Sequence, residues 1–259
     1  MIEASDDKTT ETVPTTLRLI TILEEIAKVG VPVTPTDMMT VIDLPKSTMH
    51  RLFATLEAEG FLIREIDGRS YTPGRRLRTL SMNVLSSLRV RTARLAVLRA
   101  LADDIGETCN IALPDRDAMI YLDRIETEWP LRIQLPIGSH VPFYCTASGK
   151  MYLSTLHEAH LDRYLGAAPL VPRTSETIVD RAALREEIGA TRQRGYAEDA
   201  EEFMDGMVAI AMPIFDDCGR LVSTVSFHAP TMRMTLARAR SFIPRLRDAA
   251  HELTKLVNS

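Results

Sequence analysis

The chain has 259 residues, is 45% hydrophobic and 25% charged, and carries a net charge of −4. That size accommodates one large or two ordinary domains, and the balance excludes wholesale disorder and collagen-like chains. No apolar run is long enough to span a bilayer, residues 1–11 lack the apolar core of a secretory leader, and Cys109, Cys145 and Cys218 are too scattered for a disulfide framework, all of which fits a reducing cytoplasm.

Residues 1–13 are Thr- and Asp-rich and read as a mobile tail. From Thr15 the spacing of Leu17, Ile20, Leu23, Ile26 and Ala27 predicts an amphipathic helix, stopped by Gly30 and Pro32. A short helix follows over Thr34 to Val41, then a turn, then a helix over Pro45 to Glu59 ended by Gly60. Phe61 to Ile66 and Arg69 to Thr72 read as strands joined by a two-residue Asp67-Gly68 turn. Helix, helix, turn, helix and hairpin is the order of a winged helix-turn-helix.

On the third helix Met49, Leu52, Phe53 and Leu56 share one stripe and are expected in the core. The opposite face presents Ser47, Arg51, Ala54 and Ala58, flanked by Lys46 and His50. Cationic and hydroxyl groups followed by alanines let such a helix enter the major groove, where Arg pairs with guanine and Ser or Thr contacts bases or phosphates. The alternative is an ordinary solvated helix, with His50 a plain surface residue. The two preceding helices, the Asp67-Gly68 hairpin and the local charge together favour the first reading, whereas charge alone leaves both open: residues 44–94 hold ten Lys or Arg against four Asp or Glu, while the flanking segments are acidic. The expected DNA contacts are Lys46, Ser47, Thr48, His50 and Arg51 on the helix, with Arg64 and Arg69 on the hairpin.

Beyond the hairpin, residues 77–104 carry helical apolar spacing and predict two helices broken near Arg89–Arg91. Strand-like runs follow at Cys109–Leu113, Met119–Arg124, Leu131–Leu135, Val208–Phe215 and Leu221–Phe227, the last two joined by an Asp217–Arg220 turn, and a final helix is expected over Leu236 to Leu256. Strands and helices without a regular alternation predict an α+β fold.

Three blocks carry a resemblance to a known family. One is Leu44-Pro45-Lys46-Ser47-Thr48 with Arg51-Leu52, Leu56-Glu57, Gly60-Phe61 and Tyr71-Thr72-Pro73-Gly74. A second is Gly138-Ser139-His140-Val141-Pro142 followed by Thr146-Ala147-Ser148-Gly149-Lys150. The third runs from Arg194-Gly195-Tyr196-Ala197 through Asp199 and Glu201-Glu202-Phe203 to Pro213-Ile214-Phe215-Asp216 and Ala229-Pro230. In this order the chain resembles the IclR family of bacterial transcription regulators.

The resemblance implies a winged helix-turn-helix over 14–74, a connecting helix over 75–94, and an effector domain over 95–259 with a GAF-like antiparallel sheet flanked by helices. It implies a regulator, read as a repressor, that binds double-stranded operator DNA and an effector. The anion-suited turn at Thr146–Lys150 points to a small organic acid as that effector, and the small DNA surface of one winged helix to a homodimer or tetramer. Effector contacts carried over by position are the main chain at Ala147 and Ser148, then Asp199, Ala209, Ser226 and His228. Ala209 stands where some members have a thiol and His228 where a small Ser or Gly is usual.

The residues themselves agree that Thr146 can cap a helix whose N-terminus suits an anion, with Lys150 either structural or a charge partner. Phe143, Tyr144, Phe203, Met207 and Phe227 are candidate apolar walls, and His228 a donor or cation for a carboxylate. Leu80, Val84 and Leu88 are the expected contact between copies. A competing enzyme reading, with Cys109 or Cys145 as nucleophile and His140 or His228 as base, lacks any local signature. A metal at His157 and His160 competes with an exposed polar helix, and no nucleotide motif is present, so neither cofactor nor metal is expected. A small-molecule binding protein without DNA affinity is the remaining alternative.

Overall fold

The computed structural model describes residues 15–85, 88–130 and 135–258. The tail, residues 131–134 of the strand expected at Leu131–Leu135, and the side chain of Leu88 lie outside the described residues. The chain divides into two compact units at residues 87 and 88.

In the first unit α1 (Thr15–Val29), α2 (Pro35–Met38) and α3 (Lys46–Ala58) precede a hairpin of β1 (Leu62–Arg64) and β2 (Tyr71–Pro73), and α4 (Arg75–Leu85) follows. Thr34 caps α2 through a capping box with Asp37, which sets its first turn. The stripe of α3 is buried as its spacing predicts, with Phe53 meeting Tyr71 edge-on at 5.1 Å between ring centroids. Val33 pairs with Tyr71 as an isolated bridge and ties the α1–α2 connection to the wing. The buried face of α1 is Leu19, Ile22, Leu23 and Ile26, whereas Leu17, Ile20 and Ala27 face solvent. Two apolar arcs compete on that helix, and the one with i, i+3, i+4, i+7 spacing is the one packed.

The hairpin loop also departs from expectation. Its closing bond runs from the Glu65 N–H to the Ser70 carbonyl, so four residues turn instead of two. Asp67 is the reason: its carboxylate accepts from the N–H groups of Arg69 and Ser70 and from the Ser70 hydroxyl, replacing a tight turn with a side-chain-braced one.

The second unit opens with α5 (Leu88–Ile105), so Arg89–Arg91 lie within a helix and not at a break. Among the described residues its sheet has six strands, all antiparallel, in the order β5-β4-β3-β8-β7-β6. They are β3 (Thr108–Asp115), β4 (Ala118–Ile125), β5 (His140–Pro142), β6 (Ala197–Ala200), β7 (Met207–Phe215) and β8 (Leu221–Pro230). Strands and helices are segregated, as in an α+β fold.

The sheet has two unlike faces. On one, Cys109, Ile111, Val208, Ile210, Val225 and Phe227 pack against α5 and α10 (Ile243–Val257). Arg94 on α5 and Asp123 on β4 form a buried ion pair at 2.8 Å beneath that face. On the other face Ala197, Ala209 and Ala211 meet Ala147 and Met151 of α6 (Ala147–Thr155). Around α6 stand α7 (Glu158–Ala167) and α8 (Arg181–Arg194), whose Leu161, Leu165, Leu184 and Ile188 join Phe143 and Leu153 in a separate core. The terminal helix expected as one piece is two, α9 (Leu236–Arg240) and α10, because Pro244 sits in the first turn of a new helix. Among the described residues no helix is long and apolar enough to cross a membrane.

Candidate DNA-reading head and effector site

In the first unit, α3 presents Lys46, Ser47, His50, Arg51, Ala54 and Ala58 to solvent, with Thr48 half-buried. Among the described residues the Arg51 guanidinium has no partner. Its backbone carbonyl instead accepts from the Thr55 hydroxyl. Arg69 lies exposed in the hairpin loop, and its backbone N–H donates to the Asp67 carboxylate.

Arg64 is placed differently. Its Nε and Nη2 grip both Glu57 oxygens at 3.0 and 2.7 Å, Nη1 reaches the Gly68 carbonyl at 3.2 Å, and the guanidinium lies 4.9 Å from the Tyr71 ring centroid. The hydrogen bond from Arg64 holds the Glu57 carboxyl below its usual range. Expected as a DNA contact, Arg64 also braces the wing to α3 through its pairing with Glu57.

Gly74 and Arg76 lock the wing's exit. A Cβ on Gly74 would stand 2.4 Å from the Gly60 carbonyl oxygen. Arg76 meets Glu59 at 2.7 Å and covers the Phe61 ring at 4.5 Å.

In the second unit, α6 begins at a crowded turn. Thr146 accepts from the Gly149 N–H at 3.1 Å and donates to the Pro142 carbonyl at 2.7 Å. A Cβ on Gly149 would meet the Phe143 backbone at 2.3 Å, so only glycine admits this approach. The N–H groups of Ala147 and Ser148 precede the first intrahelical bond and point out of the helix start, as an anion site requires.

Strand register brings the remaining effector candidates together. Asp199 pairs with Ala209, Ala209 with His228, and His228 with Thr108. One step along, Ala197, Ala211, Ser226, Asn110 and Arg124 form a second row. Both rows lie on the α6 face, and every polar member is buried.

Lys150 is 1% exposed and binds Glu202 by a short contact and Glu187 at 3.3 Å, while Arg194 meets Glu187 at 2.7 Å. Lys150 is therefore structural. Burial lifts the Glu187 carboxyl, but Lys150 and Arg194 outweigh it and hold it below the usual range. Asp199 accepts from the N–H groups of Glu202 and Phe203 through Oδ1, and among the described residues its buried Oδ2 has no hydrogen-bond partner. Burial, then the neighbouring Glu202 charge, pushes the Asp199 carboxyl up to about 7.

Of the expected apolar walls, Phe227 faces away, stacking edge-on with Phe242 in the α5–α10 core. Phe143 packs on Tyr152 and Tyr164, Tyr144 donates to the Val171 carbonyl, and Phe203 sits beneath Arg173. Met207 shares the strand parity of Ala209. Asn110 and Arg124 are absent from the sequence reading. Only register reveals them, since neither stands near the matched blocks.

The competing chemistries find no support in this geometry. Burial pushes the Cys145 thiol up to about 12 and raises that of Cys109 further still, the reverse of an activated nucleophile. His157 caps α7, and the nearby Glu158 and Asp162 are engaged by Arg185 and Arg192. An open cleft of about 830 Å³ lies between α5 and residues 124–130, lined in part by Arg99, Arg124 and Trp129.

A three-helix unit with a free basic helix face and a wing, joined in one chain to a sheet domain with a buried polar face, defines a DNA-binding regulator of transcription. Comparison with known proteins agrees. Residues 15–65 match the IclR helix-turn-helix domain and residues 82–255 the bacterial transcriptional regulator IclR C-terminal domain. The chain belongs to the IclR family. It is 38% identical to a probable transcriptional regulator, SauR, of Cupriavidus necator over 92% of this chain and 95% of that one. It is 30% identical to the transcriptional repressor IclR of Escherichia coli over 92% and 87%. The crystal structure of the Thermotoga maritima IclR superposes with a TM-score of 0.64 at 29% identity, covering 95% of this chain and 99% of that chain. These relatives are named as regulators, not enzymes.

Proposed function

We propose that the protein is a repressor that reads a specific operator through α3 and is modulated by a small organic acid bound between α6 and the sheet. The observation that carries the effector reading is the convergence of Asp199, Ala209, Ser226 and His228 beneath the first turn of α6, polar groups and small side chains facing an anion-suited helix start. In the reading head Arg51 and Ser47 specify bases, Thr48 and His50 flank them, and Lys46 and Arg69 hold phosphates. Arg64 keeps the wing in place. The domains divide as a reading head over 14–74, a connecting helix over 75–94 and an effector domain over 95–259.

The working unit is a homodimer or a tetramer. Leu80 and Val84 are 52% and 60% exposed on α4, which supports their use between copies. The test of the effector reading is operator binding by the full-length protein with and without acetate, malonate and benzoate, alongside thermal melting. At least one carboxylate is expected to raise the melting temperature and shift operator affinity. No effect on operator affinity from any of them contradicts the effector reading and leaves DNA binding to stand alone.

A further inference from the structure

Beneath α6, three side chains link three strands. Arg124 on β4 donates Nη1 to Asn110 Oδ1 at 3.0 Å, and Asn110 Nδ2 lies 3.2 Å from His228 Nδ1 on β8. Arg124 also donates Nε to Glu126 at 3.1 Å. All three linked residues are buried, Asn110 completely.

The direction of this chain follows from donor and acceptor inventory alone. A guanidinium carries only donors, so the Asn110 oxygen must face Arg124 and its NH₂ must face the imidazole. Amide orientation is ordinarily ambiguous, but a donor-only neighbour removes the ambiguity here. The NH₂ is itself donor-only, so the nitrogen it meets must accept. Nδ1 of His228 is therefore unprotonated, and the ring proton sits on Nε2.

We propose that Arg124, acting through Asn110, fixes His228 as the neutral Nε2–H tautomer, making it a fixed hydrogen-bond donor to an oxyanion of the effector. The donor half rests on the effector site proposed above; the tautomer half does not. Register supports the donor half. His228 stands beside Ala209, whose methyl group adds little bulk, and Asp199 stands on the far side of Ala209. Arg124 and Asn110 are positioning residues in this scheme, and the effector oxyanion would be a carboxylate or a sulfonate.

The test is nitrogen-15 NMR of the imidazoles in the full-length protein, with His228→Gln identifying the His228 signals. Wild type is expected to show protonated Nε2 and bare Nδ1 near neutral pH. Asn110→Asp, which accepts on both sides, is expected to place a proton on Nδ1. Arg124→Met removes the donor that orients the Asn110 amide and is expected to lose the Nε2–H preference, whereas Arg124→Lys keeps a donor toward Asn110 and is expected to keep the wild-type pattern, a difference that mere packing would not give. A proton on Nδ1 in wild type overturns the tautomer half. So does an Asn110→Asp protein that is folded by circular dichroism and unchanged at His228.

Acetate, malonate and benzoate then probe the donor half. A carboxylate that binds should shift the His228 Nε2 signal and bind roughly tenfold more weakly to Asn110→Asp, the scale of one hydrogen bond to a charged group. A carboxylate that binds while leaving His228 unmoved overturns the donor half. Binding by none contradicts the effector reading, and the tautomer result still decides the relay.

Discussion

Arg51 and Arg69 differ in what each can touch. Arg51 projects from an exposed helix face that ends in alanines, and Arg69 sits in an exposed hairpin loop, so the proposed reading gives the first to base edges and the second to the backbone. Arg51→Ala is expected to cost about 1–3 kcal/mol on the operator and to relax preference at one position. Arg69→Ala should weaken all sequences alike and lower the salt slope of binding by about one. Binding titrations on operator and scrambled duplexes at several salt concentrations separate the two; identical behaviour would contradict the division of roles.

Asp199 gives a second residue-scale prediction. Its carboxyl lies near 7, above the ordinary 3.8, so the native state holds a proton that the unfolded chain has released between those values. Stability from the protonated form is complete below the unfolded value and is lost as pH rises through about 7. Asp199→Asn keeps a carbonyl for the two N–H donors and removes the charge. Denaturant midpoints at pH 5 and pH 8 should therefore differ less in the variant, by an amount on the order of a few kcal/mol at most. An unchanged pH slope would contradict the assignment.

At the scale of elements, the start of α6 depends on one missing atom. Gly149→Ala would drive a methyl group into the Phe143 backbone, which cannot step aside as a side chain would. The expected loss is roughly 1–3 kcal/mol or more by chemical denaturation. A variant as stable as wild type would show that the turn is looser than it stands.

What the sequence showed at this scale follows from how local each signal is. The α3 stripe was legible because its core residues repeat at helical spacing with no rival arc. On α1 two arcs compete, and composition alone does not rank them. The break before α10 was written in Pro244. The strand β6, Ala197-Glu198-Asp199-Ala200, lacks the branched and aromatic residues that mark strands, and pairing with β7 overrides its weak propensity. Arg124, Asn110 and His228 meet only through register, a non-local property that spacing along the chain does not contain. Asp199, Ser226 and His228 are singled out only by the family resemblance, not by any pattern of their own.

For the whole molecule, one winged helix buries too little DNA for operator-level affinity, and two-fold assembly is the usual remedy. Sedimentation at micromolar concentration is expected to show a dimer or tetramer, and Leu80→Glu with Val84→Glu to shift it toward the 28.9 kDa chain. A wild-type monomer would contradict the proposed assembly. Such a dimer presents two copies of α3, so the operator should be a pseudo-palindrome with half-sites roughly 34 Å apart, or a multiple of that. Footprinting of the DNA upstream of the protein's own gene and its neighbours, at nanomolar protein and moderate salt, tests this most directly. The account predicts paired protected segments at that spacing, lost in Arg51→Ala. No protection, or protection with no sequence preference, would contradict it.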